Sequence, residues 1–143
     1  MTDPTGRAAL RNGTLFAEAT DDDLGAVLGV AEEVSFEAGQ VIFEQGDNRE
    51  GMFVVLEGEA QVDVGGRFHR LRAGDFFGEM ALLVPDKRLA DVRAVERVRA
   101  LRISSEAFES FLLDHPRIAV GMLRALSSRL REVEQRIDAW MAP

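Results

Sequence analysis

The segment Phe77-Gly78-Glu79-Met80-Ala81-Leu82-Leu83, continued by Val84-Pro85-Asp86-Lys87 and then Arg88-Leu89-Ala90-Asp91-Val92, decides how the rest of the chain is read. It assembles what a small phosphate-bearing ligand needs: a glycine before a short predicted helix, a carboxylate in the first turn, and an arginine closing a tight loop. Glycine lets the backbone approach a ligand closely, and the N–H groups of the following turn have no intrahelical partners, so they can cradle an anion. Glu79 is placed to accept hydrogen bonds from sugar hydroxyls, and Arg88 can pair bidentately with a phosphate. Taken singly, Glu79 reads as a helix-start carboxylate and Arg88 as a surface ion-pair partner. Their spacing, with strand-like runs on either side, favours the ligand reading.

Outward from this segment the pattern is of short strands separated by turn residues. Val34 to Phe36, Val41 to Phe43, Met52 to Leu56, Ala60 to Val64, Phe68 to Leu71, Ala90 to Ala94 and Val98 to Ile103 are predicted strands. Gly39, Gly46, Gly51, Gly58, the Gly65-Gly66 pair and Gly74 punctuate them, and Gly65-Gly66 is the clearest hairpin signal. Many short strands at regular spacing predict an antiparallel β jelly-roll barrel rather than a parallel sheet with crossover helices.

Helical periods flank this region. Thr20 and Asp23 have the spacing of a capping box ahead of Leu24, Val27 and Leu28. Ser105 is a predicted N-cap for a helix carrying Phe108, Phe111 and Leu112, and Pro116 suits the first position of a longer one. In that last helix Ala119, Leu123, Leu126, Leu130, Val133, Ile137 and Trp140 recur at three- and four-residue steps, a seam that fits either the chain's own barrel or a second copy. The expected class is therefore α+β, a barrel with an N-terminal helix and C-terminal helices. Residues 1–14 are expected to be loosely ordered and residues 15–143 to form one domain.

Composition narrows the function. A chain of 143 residues can bury a proper core, and with no Cys it has no disulfide, thiolate metal site or cysteine nucleophile. The start lacks a signal peptide's apolar run, and no apolar stretch approaches the ~18 residues of a membrane span, so a soluble, cytoplasmic protein is expected. A net charge of −8, from 25 acidic and 17 basic residues, argues against nucleic acid as the main partner. The set Arg93, Arg97, Arg99 and Arg102 is expected to be a solvated strand face. With only His69 and His115, a convergent metal site of the kind jelly-roll enzymes use is not expected, and neither is catalysis.

Residues 77–92 resemble the phosphate-binding cassette of the cyclic nucleotide-binding domain family, the type found in catabolite activator proteins and protein kinase A regulatory subunits. Gly78, Glu79, Ala81, Arg88, Ala90 and Val92 fit its pattern. Gly39 to Asp47, Met52 to Ala60 and Leu71 to Glu79 match further family signatures, so the likeness covers about residues 15 to 140. The resemblance implies that the turn formed by Gly78, Met80 and Ala81 faces the cyclic phosphate and ribose, that Glu79 binds the ribose 2′-hydroxyl, and that Arg88 binds the phosphate beside Leu89 and Ala90. It also implies a regulatory role read out through the last helix, with a homodimer through that helix and an unidentified effector protein as partners. Because the chain stops at Pro143, a member without a DNA-binding domain is expected.

Two departures from the pattern bear on the ligand. Leu89 stands where cyclic GMP binders often carry Thr or Ser, which favours cyclic AMP and leaves cyclic GMP second. Asp91 replaces a frequent Thr or Ser. By alignment with the family's final helix, Val133 matches an adenine-contacting threonine and Arg129 a nearby arginine. Base contact would then rest on Val62, Val64 and Leu71, with Leu130 or Trp140 as a lid. The alternative is a module that keeps the fold and serves protein interaction without nucleotide.

Overall fold

The structure, a computed structural model, describes residues 4–11, 13, 15–43, 51–64, 67–78 and 91–141. Among them are two antiparallel four-stranded sheets. The first runs in the order β1 (Glu32–Phe36), β8 (Val98–Ile103), β3 (Met52–Glu57) and β6 (Phe76–Phe77). The second runs β2 (Val41–Phe43), β7 (Asp91–Ala94), β4 (Ala60–Val64) and β5 (Arg67–Leu71). Helices α1 (Pro4–Arg11) and α2 (Asp21–Val30) precede them, and α3 (Ser105–Asp114) and α4 (Pro116–Met141) follow. This is the expected α+β jelly roll, built as two sheets with helices on one side.

Three layers explain the burial pattern. In β3 every residue from Met52 to Leu56 is buried, because successive side chains alternate between two covered faces. Met52, Val54 and Leu56 join Phe76, Leu101 and Ile103 beneath the helices, where Leu10, Phe16, Leu24, Phe108, Phe111 and Ile118 complete one core. Phe53 and Val55 turn the other way and meet Ile42, Leu71, Phe77, Val92 and Ala100 between the sheets. In β7 exposed and buried residues alternate, as expected of a sheet with one face in solvent.

The helix boundaries follow local chemistry. At α2 the Thr20 side chain accepts from the Asp23 N–H (3.1 Å) while the Asp23 carboxylate accepts from the Thr20 N–H (2.9 Å), the expected capping box. Asp23 also meets His115 Nδ1 at 2.9 Å, which ties α2 to the junction of α3 and α4, and the imidazole stacks on Phe111. The Thr20 N–H, then the His115 contact, hold the Asp23 carboxyl below its ordinary range despite burial. Such a group stabilises the fold above its unfolded pKa of about 4 and loses that contribution as pH falls through the depressed native value. Asp23→Ala is expected to cost about 1–2 kcal/mol at neutral pH. The gap to wild type should narrow below about pH 4; urea melts at pH 7 and pH 3 read both, and a gap that widens in acid rejects the assignment.

Several expectations need correction. Residues 1–14 are not loosely ordered throughout: residues 4–11 form α1, and Ala9 and Leu10 are buried in the helical core. The N-cap of α3 is Ser104, whose hydroxyl accepts from the Ala107 N–H, and Ser105 is the first helical residue. Helix α4 turns Ile118, Met122 and Ala125 to the core. Leu123 and Leu130, on the predicted seam, remain 64% and 59% exposed. Gly121 fixes that orientation, because a β-carbon there would collide with the Leu15 carbonyl. Arg97, Arg99 and Arg102 pair with acids of the first sheet and its flanking turn, Glu37, Glu33 and Glu32. The Gly65-Gly66 hairpin lies outside the described residues, although Val64 and Arg67 pair on either side of it.

Candidate functional site

The path into the candidate site is a turn. Leaving β5, the Arg72 N–H donates to the Asp75 carboxylate (2.8 Å) and the Asp75 N–H to the Arg72 carbonyl (2.9 Å), an arrangement that Asp favours because its side chain can stand in for a backbone acceptor. The Gly74 N–H and the Val55 carbonyl then meet at 2.8 Å, and the Val55 N–H reaches the Asp75 carbonyl at the same distance. These bonds seat β6 on the edge of the first sheet, with Phe76 opposite Val54 and Phe77 opposite Phe53.

The two phenylalanines point to opposite sides. Phe77 stacks on Phe53, ring centroids 5.1 Å apart, and shares the inter-sheet cluster with Val62 and Leu71. Phe76 faces the helices, and Arg129 of α4 comes down on it: the guanidinium lies 4.2 Å from the ring centroid and donates to the Phe76 carbonyl at 2.8 Å. Gly78 follows directly with φ +86°, a backbone state that suits glycine. Val62 and Leu71 thus share the inter-sheet side with Phe77, the residue before Gly78, while Arg129 reaches the same strand from the helical side. Glu79, Met80, Ala81, Arg88, Leu89 and Ala90 lie outside the described residues.

Asp91 bears on the electrostatics. It is exposed and pairs with Asp63, one residue out of phase with buried Val92. Alternation therefore turns it to the outer face of the second sheet, away from Val62 and Leu71. The negative charge that departs from the family pattern does not enter the inter-sheet space.

Sequence reading missed two features of this region. The two-residue strand β6 is too short to show alternation, and Arg129 as a tie to Phe76 leaves no periodic trace in the sequence. Val64, Val133 and Trp140 are described only by their backbone, and Leu130 is exposed on α4.

The sequence pattern of the cyclic nucleotide-binding domain matches residues 33–115. A cGMP-dependent protein kinase of Toxoplasma gondii is 32% identical over 133 residues, covering 90% of this chain and 13% of the kinase. A CRP-like cAMP-activated global transcriptional regulator of Mycobacterium tuberculosis is 24% identical over 134 residues, covering 90% of this chain and 60% of the regulator. The crystal structure of the Thermus thermophilus catabolite activator protein superposes with a TM-score of 0.80 at 27% identity, covering 90% of this chain and 63% of that one. The chain thus spans less than two thirds of the length of these proteins.

Proposed function

The chain belongs to the cyclic nucleotide-binding domain family, and on that footing we propose that it is a sensor that binds cyclic AMP in preference to cyclic GMP and signals through α4. One observation carries the reading: the family match over residues 33–115 takes in both sheets and the whole of the Phe77 to Arg88 segment. In this reading Arg88 neutralises the cyclic phosphate while the backbone of Gly78, Met80 and Ala81 surrounds it. Glu79 accepts from the ribose 2′-hydroxyl, and Leu89 and Ala90 close the phosphate side. Val62 and Leu71 give the base an apolar wall. The absence of a hydroxyl at Leu89 is what favours adenine.

Arg129, which alignment with the family's final helix matches to an arginine near the base, has a further part in this reading. Its guanidinium is engaged by Phe76, which supports a role in holding α4 against β6. The exposed Leu123 and Leu130, seven residues apart on one helical face, support a second copy packing along α4. Sedimentation over a concentration series reads that association directly. The protein acts in the cytoplasm by binding rather than catalysis, and its effector is another protein.

Titration of nucleotide-free protein with cyclic AMP, cyclic GMP and linear AMP tests the function. Saturable binding in that order of affinity is expected, with thermal stabilisation that grows with ligand concentration. No stabilisation by either cyclic nucleotide at millimolar concentration overturns it in favour of an interaction module.

A further inference from the structure

The outward side of α4 carries charge that the fold does not use. From Pro116 to Arg131 the helix holds Arg117, Arg124, Arg129 and Arg131 and no acid, in a chain whose net charge is −8. Arg129 is engaged by Phe76, and Arg124 pairs with Glu18. Arg117 and Arg131 are exposed and have no partner among the described residues. Arg117 is also the second residue of its helix, the end at which a cation is unfavourable, so helix stability does not account for it.

Arg117, Arg124 and Arg131 recur at seven-residue steps and so form one row, about 21 Å long. Exposed Val120 stands beside this row, one turn from both Arg117 and Arg124. A groove of about 410 Å³ opens there, lined by Glu18, Pro116, Arg117 and Val120. It offers apolar side chains with an unpaired cation next to them. Leu123 and Leu130 lie about 110° round the helix from the row, so a second copy packed on those leucines leaves the arginines on its flank.

We propose that this row docks an acidic amphipathic helix of the effector protein. The inference deepens the sensor reading, in which the effector is another protein, and rests on it. A helix laid along α4 sets an apolar side chain against Pro116 and Val120 and carboxylates against Arg117 and Arg131, whose separation fixes its register. Each guanidinium can take a carboxylate with two parallel hydrogen bonds, which favours arginine at such contacts. A second copy of this chain does not supply the complement. The first acid of α4 is Glu132, beyond the row, and a two-fold pair centred on the row would set arginine against arginine.

Fluorescence anisotropy with a labelled peptide of about 20 residues tests the proposal; as a helix the peptide carries leucines on one face and glutamates beside them at seven-residue steps. Saturable binding to the full chain is expected, weakening as salt rises. A twin with lysine in place of each glutamate should not bind. Arg117→Glu is expected to weaken the acidic peptide about tenfold, and Arg117→Lys less. Arg93→Glu makes the same charge change at an exposed arginine of β7 and should leave binding as it is. Equal binding of the two peptides, no loss in Arg117→Glu, or an equal loss in Arg93→Glu overturns the proposal. So does sedimentation in which Arg117→Glu alters self-association, which would make the row a contact between copies. Peptide binding is read on nucleotide-free and on cyclic AMP-treated protein, and cyclic AMP is titrated separately without peptide. Cyclic AMP binding without peptide binding in either state overturns the docking site alone; peptide binding without cyclic AMP binding overturns the sensor reading instead. Melting curves show whether each variant remains folded.

Discussion

Arg88→Ala is expected to abolish measurable cyclic nucleotide binding at micromolar ligand. A carboxylate beside a phosphate repels it, so in the proposed site Glu79 is tolerable only because a guanidinium and oriented N–H groups outweigh it. Removing one member of a desolvated charged pair costs about 2–5 kcal/mol, or roughly thirtyfold to several thousandfold in affinity. Arg88→Lys should fall between, because it keeps the charge and loses the planar fork. Calorimetry on both variants, with ligand-free melting curves to establish folding, reads the result. An unchanged affinity in Arg88→Ala would reject the assignment.

The largest expected effect on stability is at Gly58, in the turn between β3 and β4. Its φ is +93°, and a β-carbon there would run into the Arg97 carbonyl and come within 3.0 Å of the Val98 Cα. Gly58→Ala therefore combines backbone strain with a backbone collision, each costing about 1–3 kcal/mol, which together outweigh the ~0.4–1 kcal/mol from a stiffer unfolded chain. A loss of about 3 kcal/mol, or about 10 °C in Tm, is expected. Gly39 has a similar φ of +84° with nothing within 4 Å of an added β-carbon. Gly39→Ala should lose only the strain part, and equal losses at the two sites would show that the Arg97 contact is unimportant.

Features governed by neighbours in sequence could be read from the chain itself. The Thr20 and Asp23 capping box is local chemistry, and Pro116 marks the first residue of α4 because the ring removes an N–H that has no partner there. The unbroken apolar run of β3 signals a strand covered on both faces.

What could not be read depends on contacts between distant parts. Helix α1 carries its apolar residues, Ala8, Ala9 and Leu10, in a single turn, too short a run to show a period, and Ala9 and Leu10 are buried where the helix packs near β3. Helix α4 offers two apolar stripes of the same period, so periodicity cannot say which one the core takes. Gly121 held the answer, since a gap in bulk on one face marks a close approach. For the site, the likeness of residues 77–92 to a known cassette carried the ligand reading.

The clamp between Arg129 and Phe76 has a mechanical consequence. The long helix cannot tilt outward without surrendering both a charged donor and a ring contact, and the residue that receives them is two positions ahead of Gly78. A guest held at the glycine and a protein docked on the helix would therefore pull on a common hinge pin. In the proposed sensor, thermodynamic reciprocity makes any change that one brings to the other's affinity equal in both directions.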